Sequence, residues 1–195
     1  MRAHPFLIAT ALVALPFLTA TARAQAPTFA QVLSLQQAGA PAISPDGRSV
    51  AYTVRTTEWS ENRYDTEIWL ARDGAPPFQL TRTAKGSSTA PRWSPDGAWL
   101  GFLADRGEKQ QVHVMPMSGG EATKVTSSKE GVADFRWSPD GKAIAFTAAE
   151  PESEARKRDR ERLGEFAVED AEFAMTHLWV IPVAPVEWAA GRVPD

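Results

Sequence analysis

The five residues WSPDG occur twice in this chain, at 93–97 and 137–141, and a close relative, ISPDG, occupies 43–47. Ser-Pro-Asp-Gly suits a β-turn, because proline fixes φ at the second position, aspartate suits the third, and glycine accepts a positive φ at the exit. Each copy therefore predicts a hairpin. Three copies of one turn indicate a repeated structural unit.

The residues after each turn share one strand phase. Apolar side chains stand four and six places after each turn aspartate: Val50 and Tyr52, Leu100 and Phe102, and Ile144 and Phe146. This period of two predicts a strand with one buried face in each repeat. A second apolar strand follows at 67–70, 111–114 and 177–180, and in the first two repeats a glycine turn then leads to a strand that ends in threonine.

The spacing of the turns indicates the fold. Asp96 lies 50 residues after Asp46, and Asp140 lies 44 residues after Asp96. Four strands in roughly 40 to 50 residues is the period of a β-propeller blade. The sequence therefore predicts an all-β fold of about three blades in an incomplete ring. These blades span 41–195, with a charged insertion at 150–174.

The first 24 residues predict a secretory signal peptide. Arg2 gives a positive start, residues 6–18 form an apolar stretch, and 22–24 fit a cleavage site after Ala24. An apolar stretch of about 13 residues is too short to span a bilayer, which needs about 20. We therefore expect a periplasmic or secreted protein that keeps no membrane contact after cleavage.

Residues 25–40 are predicted to form a lead-in helix. Phe29, Val32 and Leu33 follow a helical spacing behind Thr28, which is a favourable N-cap residue. The apolar side of this helix is expected to pack on the propeller.

Composition argues against several classes of function. The chain is 43% hydrophobic and 23% charged with a formal net charge of −3, which provides no electrostatic footprint for a nucleic-acid partner. Trp93 and Trp137 stand directly before the turns and are expected to pack between neighbouring sheets. Cysteine is absent, which excludes disulfides and lipid attachment through cysteine.

Residue patterns typical of catalysis are missing from this sequence. No Gly-x-Ser-x-Gly elbow occurs, and the nearest string, 86–90, ends in alanine. His113 and His177 are interpreted as structural residues at the same alternating position of their strands, and no ligand cluster supports a metal site. We therefore expect no catalytic residue, metal or cofactor in this chain.

The insertion at 150–174 lengthens the third repeat. Trp179 follows Asp140 by 39 residues, whereas Trp69 follows Asp46 by 23. The basic part of the insertion interleaves with acids and is interpreted as a solvated helix. The acidic part is a candidate substrate-binding segment, because carboxylates that project into a cavity can hold an ammonium group. The candidate residues are Glu165, Glu169, Asp170 and Glu172.

The order of these features resembles the N-terminal propeller of the prolyl oligopeptidase family of serine peptidases, particularly its acylaminoacyl-peptidase and dipeptidyl-peptidase branches. The features are the signal peptide, the short helix, ISPDGRSVAYTV, the WSPDG blades and the inserted ARKRDRERLGEFAVEDAEFAMTHLWVIPV at 155–183. Bacterial members look similar at the insertion, with a basic helix, an acidic-aromatic segment and a His-Leu-Trp strand. The resemblance covers essentially the whole mature chain.

The resemblance implies a two-domain serine exopeptidase or oligopeptidase. In this family a propeller caps an α/β-hydrolase domain, and it gates and orients short peptide substrates. The Ser-Asp-His triad would lie in that domain, which is expected beyond Asp195, so the chain is interpreted as an N-terminal fragment. The alternative is a non-catalytic periplasmic binding propeller of the TolB type. Such proteins place an α/β domain before their blades, and the short distance here from Ala24 to residue 43 argues against one.

Overall fold

The computed structural model describes residues 26–164 and 175–190, which form three antiparallel sheets. Each sheet is a meander of consecutive strands and corresponds to one predicted blade, so the all-β propeller fold is confirmed.

Blade 1 contains β1 (Gln37–Ile43), β2 (Ser49–Glu58), β3 (Arg63–Arg72) and β4 (Ala75–Gln79). Blade 2 contains β5 (Ser88–Trp93), β6 (Trp99–Ala104), β7 (Gln111–Pro116) and β8 (Thr123–Lys124). Blade 3 contains β9 (Asp134–Trp137), β10 (Ala143–Ala149) and β11 (Thr176–Pro182).

Short helices flank the sheets in the described residues. Helix α1 (Phe29–Leu33) precedes blade 1, α2 (Glu154–Leu163) connects β10 to β11, and α3 (Pro185–Ala189) follows β11. None of these helices is long and apolar enough to cross a bilayer.

The lead-in segment is shorter as a helix than the predicted 25–40. Thr28 caps α1 as expected, because its hydroxyl accepts a hydrogen bond from the Gln31 amide at 3.2 Å while the Gln31 side chain accepts one from the Thr28 amide at 2.8 Å. From Gln37 onward, however, the chain pairs with β2 as β1. Ladder hydrogen bonds to a neighbouring strand therefore outweigh the local helical spacing. Phe29 and Val32 are exposed, Leu33 is half-buried, and the Thr57 hydroxyl donates a hydrogen bond to the Leu33 carbonyl.

The SPDG turns share one hydrogen-bond arrangement. In each turn the serine hydroxyl donates to the aspartate carboxylate at 2.6 Å and accepts from the amide of the following strand at 2.9 Å. The exit glycines have φ between 71° and 74°. A Cβ added to Gly97 would lie 3.5 Å from Pro45, and one added to Gly141 would lie 3.6 Å from Pro95. The second and third turns therefore each stack on the turn of the preceding blade, which gives the repeated motif a structural role.

These turns make stability sensitive to acid. A hydrogen bond from the Ser94 hydroxyl, followed by one from the Ala98 amide, lowers the pKa of the Asp96 carboxyl. A carboxyl with a lowered folded-state pKa stabilises the fold above its unfolded pKa, and this stability is lost as pH falls through the folded pKa. We expect Asp96→Asn to melt below the wild type at pH 7. This difference should shrink below about pH 4. Melting curves from neutral to acidic pH test this, and a constant difference would contradict it.

Indole hydrogen bonds join neighbouring blades. Trp93 Nε1 donates to the Ala42 carbonyl at 2.9 Å, and Trp137 Nε1 donates to the Arg92 carbonyl at 3.1 Å. Both tryptophans therefore lie between sheets, as predicted. Arg92 adds a second link, because its guanidinium contacts Asp134 at 2.8 Å and lies 5.5 Å from the centroid of the Phe135 ring.

In β6 and β10, the second strands of blades 2 and 3, the face that was predicted to be buried packs against the preceding blade. Leu100 and Phe102 on β6 pack against blade 1, and Ile144 and Phe146 on β10 pack against blade 2. In β2 the corresponding Val50 and Tyr52 are half-buried, whereas Ala51 and Thr53 on the other face are buried. The prediction is therefore wrong for β2. The reason is that blade 1 packs against blade 2 and has no preceding blade among the described residues.

A buried polar pair recurs at the outer strands of blades 1 and 2. In blade 2 the Thr126 hydroxyl donates to Gln111 Oε1 at 2.8 Å and accepts from the Val112 amide at 2.9 Å. In blade 1 the Thr81 hydroxyl bonds Glu67 and accepts from the Ile68 amide. Each threonine thus joins two adjacent strands.

Removing this hydroxyl should destabilise blade 2. We expect Thr126→Val to lower the free energy of unfolding by about 1–3 kcal/mol, because the buried Val112 amide loses its side-chain partner. Thr126→Ser, which keeps the hydroxyl, should lose less. Chemical denaturation measures both values, and equal losses in the two variants would show that packing, and not the hydrogen bond, matters here.

Candidate functional site

The two ends of each sheet carry different connections. Because each sheet is an antiparallel meander, the SPDG turns lie at one end, here called the SPDG edge. The second-to-third strand connections lie at the other end, here called the opposite edge, together with the links between blades. Hydrogen bonds join these loops: the Ser87 amide donates to the Asp105 carboxylate at 2.9 Å, and the Val132 amide donates to the Gln110 carbonyl at 2.7 Å. The insertion connects β10 to β11 and therefore leaves from the opposite edge.

The basic part of the insertion forms α2. Its described side chains are exposed, and Arg162 contacts Asp159 at 3.3 Å across one turn. The Arg156 amide donates to the Ser153 hydroxyl at 3.3 Å near the start of the helix. These features agree with the interpretation of this part as a solvated helix.

The candidate substrate-binding carboxylates Glu165, Glu169, Asp170 and Glu172 lie outside the described residues, as does the predicted signal peptide at 1–24. The flanks of the insertion are described. The Glu150 amide donates to the Met175 carbonyl at 2.8 Å, and His177 Nε2 lies 3.7 Å from the Glu150 carboxylate. The two ends of the insertion therefore meet at the opposite edge of blade 3.

The two histidines lie on the same alternating face of their strands but differ by two residues in register. His113 pairs with Phe102 just as Trp179 pairs with Phe146, whereas His177 pairs with Ala148, two residues earlier on the same face of its strand. His113 is buried, and its ring stacks on Phe102 with centroids 5.8 Å apart. Burial, followed by the charge of Arg106, lowers the pKa of His113 to about 4, so its ring is neutral at pH 7. Within the described ranges no group of three or more His, Asp or Glu side chains could hold a metal.

The serines of the 86–90 string have structural partners. The Ser87 hydroxyl accepts a hydrogen bond from the Thr66 amide at 3.2 Å, and the Ser88 hydroxyl lies 3.2 Å from that of Thr83. Ser88 is also buried. Among the described residues neither serine has a histidine partner, so the described part of the chain shows no activated nucleophile at these serines.

A cleft of about 730 Å³ separates the outer parts of blades 1 and 2. Its lining residues are Leu80, Thr81, Arg82, Thr83, Ala84, Lys85, Arg106, Met115, Gly120, Glu121 and Ala122. The sequence did not reveal this site, because its residues lie up to 42 positions apart, from Leu80 to Ala122, and share no motif.

Comparison with known proteins agrees with the propeller assignment. The model of the TolB β-propeller domain family matches residues 17–165. The acylaminoacyl peptidase of Pyrococcus horikoshii superposes with a TM-score of 0.59 at 19% identity, over 83% of this chain and 25% of that protein. At this identity the superposition shows a shared fold.

Two curated relatives are named as peptidases. The uncharacterized peptidase YuxL of Bacillus subtilis is 38% identical over 133 residues, which cover 68% of this chain and 20% of the relative. Dipeptidyl-peptidase 5 of Porphyromonas endodontalis is 25% identical over 154 residues, which cover 76% of this chain and 22% of the relative. The chain thus spans about a fifth of the length of these relatives. The resemblance to the propellers of peptidases is confirmed, and the chain belongs to the TolB β-propeller family.

Proposed function

We propose that this chain is the N-terminal propeller portion of a serine exopeptidase or oligopeptidase. In this proposal the propeller gates and orients short peptides for a C-terminal α/β-hydrolase domain, and the protein is exported by its signal peptide to the periplasm or beyond. The observation that carries the proposal is the 38% identity to a peptidase over 133 residues. The order of the blades and the insertion, which resembles that of the prolyl oligopeptidase family, supports it.

The insertion is the proposed contact with substrate. Its described flanks meet at the opposite edge of blade 3, where the Glu150 amide donates to the Met175 carbonyl. The segment between these flanks carries Glu165, Glu169, Asp170 and Glu172 within eight positions. We propose that one of these carboxylates pairs with the free ammonium group of a peptide. A charge-assisted contact of this kind contributes about 1.5–3 kcal/mol.

Removing the correct carboxylate should impair turnover of free peptides selectively. We expect one of the four substitutions, Glu→Gln or Asp→Asn, to lower kcat/KM by roughly ten- to hundredfold. The loss should be confined to substrates with an unblocked amino group and should spare their N-acetylated counterparts. Steady-state kinetics of the full-length protein with matched peptide pairs measures this. Glu154→Gln, which removes an exposed carboxylate from α2 of the same insertion, is the control and should leave both substrates unaffected.

Two results would contradict the proposal at different levels. Equal effects on free and acetylated peptides, or none at any of the four positions, would remove the substrate contact but leave the peptidase assignment intact. Absence of fluorophosphonate labelling and of peptide hydrolysis in the full-length protein would overturn the peptidase assignment and favour the non-catalytic binding propeller.

A further inference from the structure

The cleft between blades 1 and 2 has a strongly cationic lining. One wall comes from the link between the blades and contributes Arg82 and Lys85, while the β6–β7 hairpin contributes Arg106. Glu121 is the single acidic residue among the lining residues. The volume of about 730 Å³ lies within the range of small-ligand sites.

These three cations lack acidic partners. Within residues 26–164 and 175–190, no carboxylate lies within 4.0 Å of Arg82, Lys85 or Arg106. By contrast, two lysines of blade 2 have acidic partners: Lys109 lies 3.6 Å from Glu130, and Lys124 lies 3.6 Å from Glu108. Three cations without an acidic partner thus line one cleft, where they repel one another unless an anion is present.

The backbone of Arg106 is a second observation. Arg106 has φ 40° and Gly107 has φ 82°, and the hairpin closes through the Glu108 amide, which donates to the Asp105 carbonyl at 2.6 Å. Arg106 and Gly107 are the central residues of this β-turn, and a β-turn with positive φ at both central residues favours asparagine, aspartate or glycine there. Arginine is therefore unfavourable for the turn, which suggests that its side chain is needed in the cleft.

The two walls of the cleft are held together by close contacts. A Cβ added to Gly86 would lie 1.6 Å from the Asp105 carboxylate, so the link between the blades can approach this hairpin only with glycine there. The Ser87 amide donates to the same carboxylate at 2.9 Å. A Cβ added to Gly107 would lie 3.7 Å from the Cβ of Lys85. Lys85 and the Arg106 turn are thus neighbours on a fixed backbone.

We propose that this cleft binds a peptide segment rich in carboxylates, through Arg82, Lys85 and Arg106. Three cations from two separate loops, the link between the blades and the β6–β7 hairpin, suit an extended ligand with several anionic groups better than a compact ion. Leu80 and Met115 provide apolar surface for the stems of its side chains. The proposal does not depend on peptidase activity, since the cleft and its ligand are assayed by binding alone.

Binding of an acidic peptide to the full-length protein tests this. N-acetyl-tetraglutamate amide should bind, and the neutral tetraglutamine peptide of the same length should not. Because exposed charge pairs contribute modestly, Arg106→Asn should weaken binding by about fivefold. The triple variant Arg82→Gln, Lys85→Gln, Arg106→Asn should abolish it. Titration calorimetry at low ionic strength measures these affinities, which should fall as salt is added.

The variants separate loss of binding from loss of folding. Asparagine suits positive φ, so Arg106→Asn should melt at or above the wild-type temperature while it loses affinity. Lys129→Gln, an equal charge change at an exposed site outside the cleft, should keep full affinity. Equal binding of both peptides, unchanged affinity in the triple variant, or binding of inorganic phosphate without the acidic peptide would overturn the proposal.

Discussion

Replacing Trp188 by alanine should lower the free energy of unfolding by about 3–5 kcal/mol, which is the usual cost of truncating a buried large aromatic residue. The Trp188 side chain is 1% exposed and packs edge-on against Trp99 and Trp137, with ring centroids 5.7 and 6.2 Å away. The Trp188 carbonyl also accepts a hydrogen bond from the Thr123 hydroxyl at 2.8 Å. Residue 188 thus fixes α3 against blades 2 and 3. Chemical denaturation of the variant and the wild type measures the loss.

A second tryptophan provides the control for this substitution. Trp59 is 54% exposed at the hairpin of blade 1, so Trp59→Ala should change the free energy of unfolding by less than about 0.5 kcal/mol. Trp188→Phe should lose less than Trp188→Ala, because it keeps an aromatic ring in the site. A loss at Trp188 no larger than the loss at Trp59 would show that α3 does not contribute to the core.

Gly101→Ala should destabilise the protein by about 1–3 kcal/mol, because it overpacks the contact between blades 2 and 3. A Cβ on Gly101 would lie 2.8 Å from the Phe135 ring and 3.1 Å from Trp137 Nε1. This carbon therefore forces the Phe135 ring to move, and the loss of packing appears in the free energy of unfolding. Thermal and chemical denaturation both measure it.

A smaller neighbour should relieve this clash. Phe135→Leu alone leaves a cavity, but combined with Gly101→Ala it provides space for the added methyl group. We expect the double variant to be more stable than the sum of the single effects predicts, with a coupling of about 0.5–3 kcal/mol. Gly39→Ala is the matched control, since its added Cβ would meet only Thr53 Oγ1 at 3.4 Å. If the two substitutions change the free energy of unfolding additively, the Phe135 ring does not clash with the methyl group added at residue 101.

Local chemistry in the sequence determined the repeating unit of this protein. Pro45, Asp46 and Gly47, with their two later copies, specify a turn through φ preferences and side-chain hydrogen bonds that span only a few residues. The buried face of β6 and of β10 follows from the same local pattern. For this reason the blades, their order, the tryptophans between sheets and the position of the insertion could all be predicted from the sequence.

Tertiary structure decided the properties that depend on neighbouring blades. Ala51 is buried in β2 and Tyr52 is half-buried, because among the described residues only one face of β2 packs against another blade. His113 pairs with Phe102, whereas His177 pairs with Ala148, so the two histidines differ by two residues in register. This difference is set by the pairing of the strands and is not visible in the spacing of the sequence. Lys85 and Arg106 share a cleft because Gly86 allows two loops to touch. Contacts between segments distant in sequence leave no periodic signal, so these features emerge only when the sheets pack together.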